Sequence, residues 1–388
     1  TDPATLARFS AVRLFVTRTA AAAHGFALTP GNAEAVAVLC RRLDGIPLAL
    51  ELAATRVRTL GMHGLLARLD DRFRLLTTGH RGAPPRQQTL MAMIDWSWQL
   101  LTEPERAVLR RLAVHTDGCT LEAAQAVCAA DSVGPDEVLD ILARLVDRSL
   151  VVMSDRRDDD PRYRLLESVA VYCTERMHEA GELQQIRRRH RTHYTQLAER
   201  AEPQLYGPDQ RRWLQRLDAE AANLHDALDD AARQGEADLA LRLANALTWY
   251  WFLRGRLTDA RRSLRTALDA RGEAPPAARA RAMAWHTGIS FLLGDTAGWP
   301  ARHEAVLNAY EGVADELGQA RAEWFLAFAE IDLGDVAATG ELIDRALTTF
   351  RAVDDQWGVA AALSLRAKHA HVQSDSGALE RDGVQSAA

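Results

Sequence analysis

Lysine is almost missing from this chain. Of its 47 basic residues across 388 positions, one, Lys368, is lysine and all the others are arginine. A phosphate loop of the GxxxxGK[ST] kind needs a lysine to reach the β- and γ-phosphates. Lys368 sits in Arg366-Ala367-Lys368-His369, with no glycine loop around it. With loop, lysine and Mg²⁺ ligands all lacking, these residues are not expected to hydrolyse ATP by themselves. Cysteine is scarce as well. Cys40, Cys119, Cys128 and Cys173 lie far apart with no CxxC pair, which reads as buried thiols in a reducing cytoplasm rather than a secreted disulfide framework. No apolar run approaches the ~18 residues of a membrane span, and no basic–apolar–small signal peptide opens the sequence, so a membrane role is not expected. The net charge of −6 argues against a surface that coats nucleic acid. No Ser-His-Asp or Cys-His constellation stands out. His190 and His193, at i and i+3, have no third metal ligand at useful spacing.

What the chain has in quantity is helical periodicity. An apolar fraction of 47% and a charged fraction of 26% suit globular protein, and the length allows two or three domains. An alanine-rich helix is expected over residues 5–24 (Leu6, Phe9, Val12, Leu14, Phe15). Val36, Leu39, Cys40 and Leu43 then recur at i, i+3, i+4 and i+7, a second amphipathic helix. Thr29-Pro30 reads as its cap and first position, and Gly45 as its left-handed stop. Pro47 pre-sets the backbone for a third helix. One of its faces carries Leu50, Ala53, Ala54 and Val57, another Leu48, Leu52 and Thr55, as in a helix buried between neighbours. The stretch Gly45-Ile46-Pro47-Leu48 is thus a sharp corner with a rigid proline ring at its apex. By local chemistry alone it is an ordinary turn between helices. A short helix with Leu65, Leu66 and Leu69 follows, and residues 77–86, TTGHRGAPPR, read as a boundary.

The next unit spans 87–181. Leu90, Met93, Ile94, Trp98 and Leu101 make one helix face, Thr102 to Glu105 is a capping box, and Thr120 caps a helix with Ala123, Ala124, Val127 and Cys128. A further helix carries Val138, Ile141, Leu142 and Leu145. The period then changes: Ser149 to Met153 and Tyr163 to Leu166 flank a charged turn from Asp155 to Pro161, a β-hairpin after three helices. A helix from Ser168 to Ala180, stopped by Gly181, closes the pattern of a winged helix. Its candidate recognition helix, Asp136 to Arg148, sets Arg144 and Arg148 against Asp136, Glu137, Asp140 and Asp147, a poor surface for phosphates. The basic run Arg187-Arg188-Arg189-His190-Arg191 reads as a solvated helix face, or as pairing with Glu179 and Glu182.

Beyond Gly181 only helices are expected. Connecting helices fill 182–235, and from 236 to 388 the pattern repeats. Turns at Gly255, Gly294, Gly334 and Ser374 fall about 40 residues apart, each after an aromatic or alanine-rich helix. A helix–turn–helix unit of that size must stack to bury its apolar face, which gives a tetratricopeptide-like solenoid. Its tryptophans, among them Trp249, Trp251, Trp285 and Trp324, are expected in the core. The opening threonine and the incomplete last repeat read as a portion of a larger protein.

With GIPLALELAATRVR, RQQTLMAMIDWSWQLL and RYRLLESVAVYC in this order, the sequence resembles the STAND or NB-ARC signalling ATPases. It is most similar to bacterial multidomain transcriptional regulators of the antibiotic-regulatory or LuxR-like class. The resemblance implies a mainly α chain. Residues 1–80 would be the helical NB-ARC subdomain, 87–181 a winged helix, and 236–388 tetratricopeptide-like repeats. It implies that Gly45 and Pro47 contact the adenine of ADP or ATP held by a phosphate-loop domain outside these residues. Where many relatives place Met-His-Asp, with the histidine on the ADP phosphate, this sequence has Leu165, Leu166 and Glu167, and a leucine donates no hydrogen bond. Leu166 is therefore a nucleotide-facing position without the usual chemistry. The implied partners are that intramolecular phosphate-loop domain, a protein or small-molecule inducer on the repeats, and a second copy on activation. DNA would be reached only through a domain outside these residues. The alternative is a tetratricopeptide scaffold that binds no nucleotide.

Overall fold

The computed structural model describes residues 2–23, 25–43, 45, 47–67, 94, 98–130, 133–147, 150–154, 161–331 and 336–386. The chain divides into two compact units, Thr1–Arg189 and His190–Ala388. No helix among the described residues is long and apolar enough to cross a membrane.

The first unit opens with α1 (Pro3–Leu6), α2 (Ser10–Ala22), α3 (Ala33–Arg42) and α4 (Pro47–Ala67). The last is interrupted at Gly61, which is non-helical at φ 65° and ψ 171° and sets off the short helix expected around Leu65 and Leu66. They pack around Phe15, Val36, Leu39, Leu50, Ala54 and Leu65, all buried. The single helix expected over 5–24 is two. The Asp2 carboxylate accepts the Ala4 and Thr5 amides to start α1, and Phe9, extended at φ −79° and exposed, restarts the chain as α2. The expected Thr29-Pro30 start of α3 is also corrected. Asn32 precedes the helix, and its side chain reaches backwards, accepting the Thr29 amide at 2.8 Å and donating to the Ala27 carbonyl at 2.8 Å. This Asx-type turn competes with helix for the residues between. The predicted stripe on α4 is buried: Leu50, Ala53, Ala54 and Val57. The side chains of its second stripe, Leu48, Leu52 and Thr55, lie outside the described residues, as do Leu69 and the 77–86 boundary.

The same unit continues as α5 (Glu103–Leu112), β1 (Cys119–Thr120), α6 (Leu121–Cys128), α7 (Pro135–Asp147), β2 (Val152–Ser154), β3 (Arg162–Arg164) and α8 (Glu167–Glu179). Three helices, a hairpin and a closing helix are the winged helix expected. The Thr102/Glu105 capping box is present, with the Thr102 amide donating to Glu105 Oε2 at 2.9 Å. Thr120 caps α6 through the Ala123 amide. Ile94 and Leu101 are buried and Trp98 meets Tyr172 edge-on at 5.7 Å; Leu90, Met93 and residues 155–160 lie outside the described residues. The hairpin pairs Met153 with Tyr163, so Leu165 and Leu166 fall beyond the strand rather than in it. A third strand joins the hairpin: β1 pairs with β3, Cys119 opposite Tyr163, giving the order β1-β3-β2. Two residues carry no detectable alternation. Gly118 makes the pairing possible. It sits at φ 72°, and a Cβ there would stand 2.6 Å from the Tyr163 carbonyl oxygen.

In the second unit, α9 (Leu183–Ala201, beginning in the first unit) leads to a 3₁₀ turn Glu202–Tyr206, then α10 (Gln210–Ala219) and α11 (Ala221–Arg233). Paired helices follow: α12 (Ala237–Leu253) with α13 (Leu257–Leu268), α14 (Pro276–Leu292) with α15 (Trp299–Ala309), and α16 (Glu316–Glu330) with α17 (Val336–Ala352). Gly255 and Gly294 end their helices at φ 65° and 83°. The amides after them, Arg256 and Asp295, donate to Trp251 and Ser290 carbonyls at 2.8 and 3.0 Å, the Schellman closure that glycine permits. Gly235 closes α11 in the same way through Glu236 and Ala231. The third turn, at Gly334, lies outside the described residues. The fourth is a correction. Helix α18 runs unbroken over Gln356–Ser386, through Ser374, because a serine there lacks the free access to a left-handed conformation that glycine gives the other turns. Trp249, Trp251, Trp285 and Trp324 are buried as expected.

Candidate functional site

The corner is built as the residue pattern implies. Gly45 is left-handed at φ 65°, and its amide donates to the Cys40 carbonyl at 2.9 Å. A Cβ on Gly45 would meet only Ala11 Cβ, at 3.5 Å, an ordinary contact. The backbone angle, not space, is therefore what calls for glycine. Pro47 opens α4 and is exposed, while α2 and α3 pack on α4 from behind. The Cys40 thiol, buried beneath, is pushed up to about 11 by that burial, so it stays protonated and inert. Ile46 lies outside the described residues.

Leu166 belongs to the winged-helix group rather than to the four-helix group of Gly45 and Pro47. It is the N-cap of α8, half-buried at φ −63° and ψ 143°, and makes no side-chain cap. Its carbonyl accepts the Ala170 amide at 2.9 Å. Glu167, not Leu166, supplies the negative charge in the first turn. Pro47 presents an exposed apolar ring beside Gly45, and the Leu166 side chain offers no hydrogen-bond donor.

On the winged helix, α7 exposes Asp136, Glu137, Leu139 and Asp140. Arg144 is exposed too, but its Nε donates to Glu105 Oε1 at 2.9 Å, so its charge is already matched. The side chains of Asp147 and Arg148 lie outside the described residues. The same unit holds an arrangement that residue spacing does not reveal. Glu182 receives Arg110 Nε and Nη2, both at 2.9 Å, and Arg111 Nε and Nη2 at 3.2 and 2.8 Å. Burial opposes its ionisation, yet the two guanidiniums outweigh that and hold it at about 2. The expected partnership of Glu179 and Glu182 with the 187–191 basic run is corrected. Glu179 pairs with Arg176, Arg189 donates to the Ala129 carbonyl, and Arg191 is buried against Asp230 and Glu236. Arg188 remains exposed, as a solvated face would have it, whereas Arg191 is taken inside by acids remote in sequence.

His190 and His193 are both buried and flank Tyr194, with ring centroids 4.6 and 5.0 Å away. Burial lowers His190 to about 4, so it is a neutral packing group. Among the described residues no cluster of three His, Cys, Asp or Glu side chains is arranged to hold a metal ion. The second unit does gather an aromatic cluster. Tyr206 stacks on Trp249 at 5.4 Å, and Trp357 lies edge-on to Tyr206, Trp249 and Trp324 at 4.8, 5.3 and 5.2 Å. Tryptophan spacing in the sequence hinted at core positions, but not at this convergence.

Comparison with known proteins agrees with the winged-helix geometry. Residues 101–178 match a winged helix-turn-helix domain family. Over 95% of its length the chain is 38% identical to a Mycobacterium tuberculosis (H37Rv) protein provisionally named an HTH-type transcriptional regulator, and it covers 42% of that protein. An uncharacterised protein of the same organism is 44% identical over 48% of this chain and 47% of its own. The chain thus spans less than half the length of the curated relatives it matches. A solved STAND protein with a tetratricopeptide repeat sensor, from Pyrococcus horikoshii, aligns over 94% of this chain and 57% of its own. The two share 11% identity, with a TM-score of 0.32. Residues 101–178 are a winged helix-turn-helix domain, in a chain similar along nearly all its length to proteins named as transcriptional regulators.

Proposed function

We propose that these residues are the regulatory and sensor segment of a cytoplasmic, STAND-type transcriptional regulator. The observation that carries the reading is the exposed Pro47 ring beside left-handed Gly45, placed ahead of a winged helix and paired helices. The corner closes over the adenine of ADP or ATP bound by a phosphate-loop domain elsewhere in the parent protein. The winged helix, acidic where a DNA reader would be basic, acts as an intramolecular lid, and DNA is reached by another domain. The helical repeats take an inducer, a protein or a small molecule. Such a ligand shifts the protein to an open, self-associating state only through its differential affinity for the two states. The segment performs no phosphoryl transfer of its own.

The test is ADP affinity in the parent protein, wild type against Pro47→Ala, by calorimetry. Loss of the stacking face is expected to weaken binding roughly tenfold, the order of one apolar contact of about 1–1.5 kcal/mol. Equal affinities would remove the adenine clamp and favour a scaffold that binds no nucleotide.

A further inference from the structure

In the second unit a cavity of about 110 Å³ lies between α14, α16 and the turn at Tyr310. Its walls are mostly apolar, with Trp285 and Phe325 in ring contact at 4.2 Å. Three charged side chains line it, and their charges are already answered. Arg281 pairs with Glu202, Arg321 Nη2 with Asp355 at 3.2 Å, and Asp315 Oδ1 accepts the Gly318 amide at 2.9 Å to cap α16. Two polar groups remain. Tyr310 is 3% exposed, and its hydroxyl is buried without a hydrogen-bond partner; so is Nε of Arg321. A buried hydroxyl left unsatisfied costs enough that a native structure normally supplies a partner.

We propose that this cavity is a binding site for a small uncharged ring bearing a hydrogen-bond acceptor, held by the Tyr310 hydroxyl and the Arg321 Nε–H between Trp285 and Phe325. The volume sets the size. It equals about three or four waters and is smaller than the engineered cavity of about 150 Å³ that admits benzene, so a single small ring is the upper limit. The charge balance sets the class. With both guanidiniums paired, no surplus positive charge is left to neutralise an anion, whereas two donors await an acceptor. The site deepens the sensor reading above and rests on it for its role, since an inducer on the repeats is what it would receive.

Cyclohexanone tests it. Titrated into this chain and followed by tryptophan emission, it should bind saturably, and more tightly than either methylcyclohexane or cyclohexanecarboxylate. Tyr310→Phe, which keeps the ring and removes the hydroxyl, should weaken cyclohexanone about fivefold and leave methylcyclohexane unchanged. Ala322→Leu, which grows a side chain into the cavity, should abolish both while circular dichroism stays that of the wild type. If that variant fails to fold, the Tyr310→Phe comparison decides. Absence of saturable binding, a preference for the carboxylate, or an unchanged affinity in Tyr310→Phe would each overturn the proposal. The readout involves no nucleotide, so failure here leaves the Pro47 clamp standing, and failure of the clamp leaves the cavity standing.

Discussion

Glu182 offers the sharpest test of how the winged helix is held. Its carboxylate takes four N–H groups from Arg110 and Arg111, and Arg111 is almost wholly buried, with Nη1 donating to the Cys128 and Ala130 carbonyls. Beside it Val114, Val127, Met177, Leu183 and Ile186 form an apolar cluster that seats the start of α9. Replacing the carboxylate by glutamine keeps the shape but removes the charge that faces both guanidiniums, Arg110 retaining Glu103 at 2.9 Å and Arg111 its backbone carbonyls. The shift from 4.5 to about 2 corresponds to about 3 kcal/mol. Because the carboxylate keeps some contact with water, about 2 kcal/mol is the better expectation. For a unit of this size that is a melting temperature lower by about 4–8 °C. The sign with pH follows from the depressed value. The wild-type advantage is full above the unfolded value of 4.5, declines as pH falls towards about 2, and is gone below it. Thermal unfolding of wild type and Glu182→Gln at pH 7 and near pH 2 measures both statements. Equal melting temperatures at pH 7, or a gap that persists unchanged near pH 2, would refute the account.

Two further substitutions probe other parts of the fold. Gly118→Ala places a methyl 2.6 Å from the Tyr163 carbonyl at a φ of 72°, and should destabilise the first unit by about 2–4 kcal/mol and speed proteolysis at the wing. Arg191→Leu removes the guanidinium that Asp230 and Glu236 share, leaving Asp230 the longer contact to Arg233 at 3.4 Å. Asp230 is almost fully buried, so denaturant unfolding of the second unit should show a loss of about 3–5 kcal/mol, and Arg191→Lys should recover only part of it.

What could be read from the sequence was local. The Thr102/Glu105 box, the Thr120 cap, the Leu50 to Val57 stripe and the glycine stops at 45, 181, 255 and 294 each depend on residues within a turn or two, so spacing reveals them. The departures share a different cause. Strand β1 exists because β3 lies beside it, 44 positions away in sequence. Asn32 defeated the Thr29-Pro30 start by turning its side chain backwards, a choice residue type leaves open. At Ser374 the repeat spacing alone suggests a turn, but the chemistry of the turn belongs to glycine. Arg191 looked solvated because its acids are remote in sequence. At the candidate site the corner was legible, since Gly45 and Pro47 adjoin. The Tyr310 cavity was not, because its walls come from three separate segments.

The convergence of Tyr206, Trp249, Trp324 and Trp357 has an optical consequence. With Trp249 also 6.2 and 6.3 Å from Trp324 and Trp285, excitation absorbed by one ring passes to its neighbours before it is emitted. The second unit therefore glows as a single antenna rather than as separate lamps. Deleting one tryptophan will not subtract one share of the signal, and a quencher at Trp285 will darken rings that it never touches.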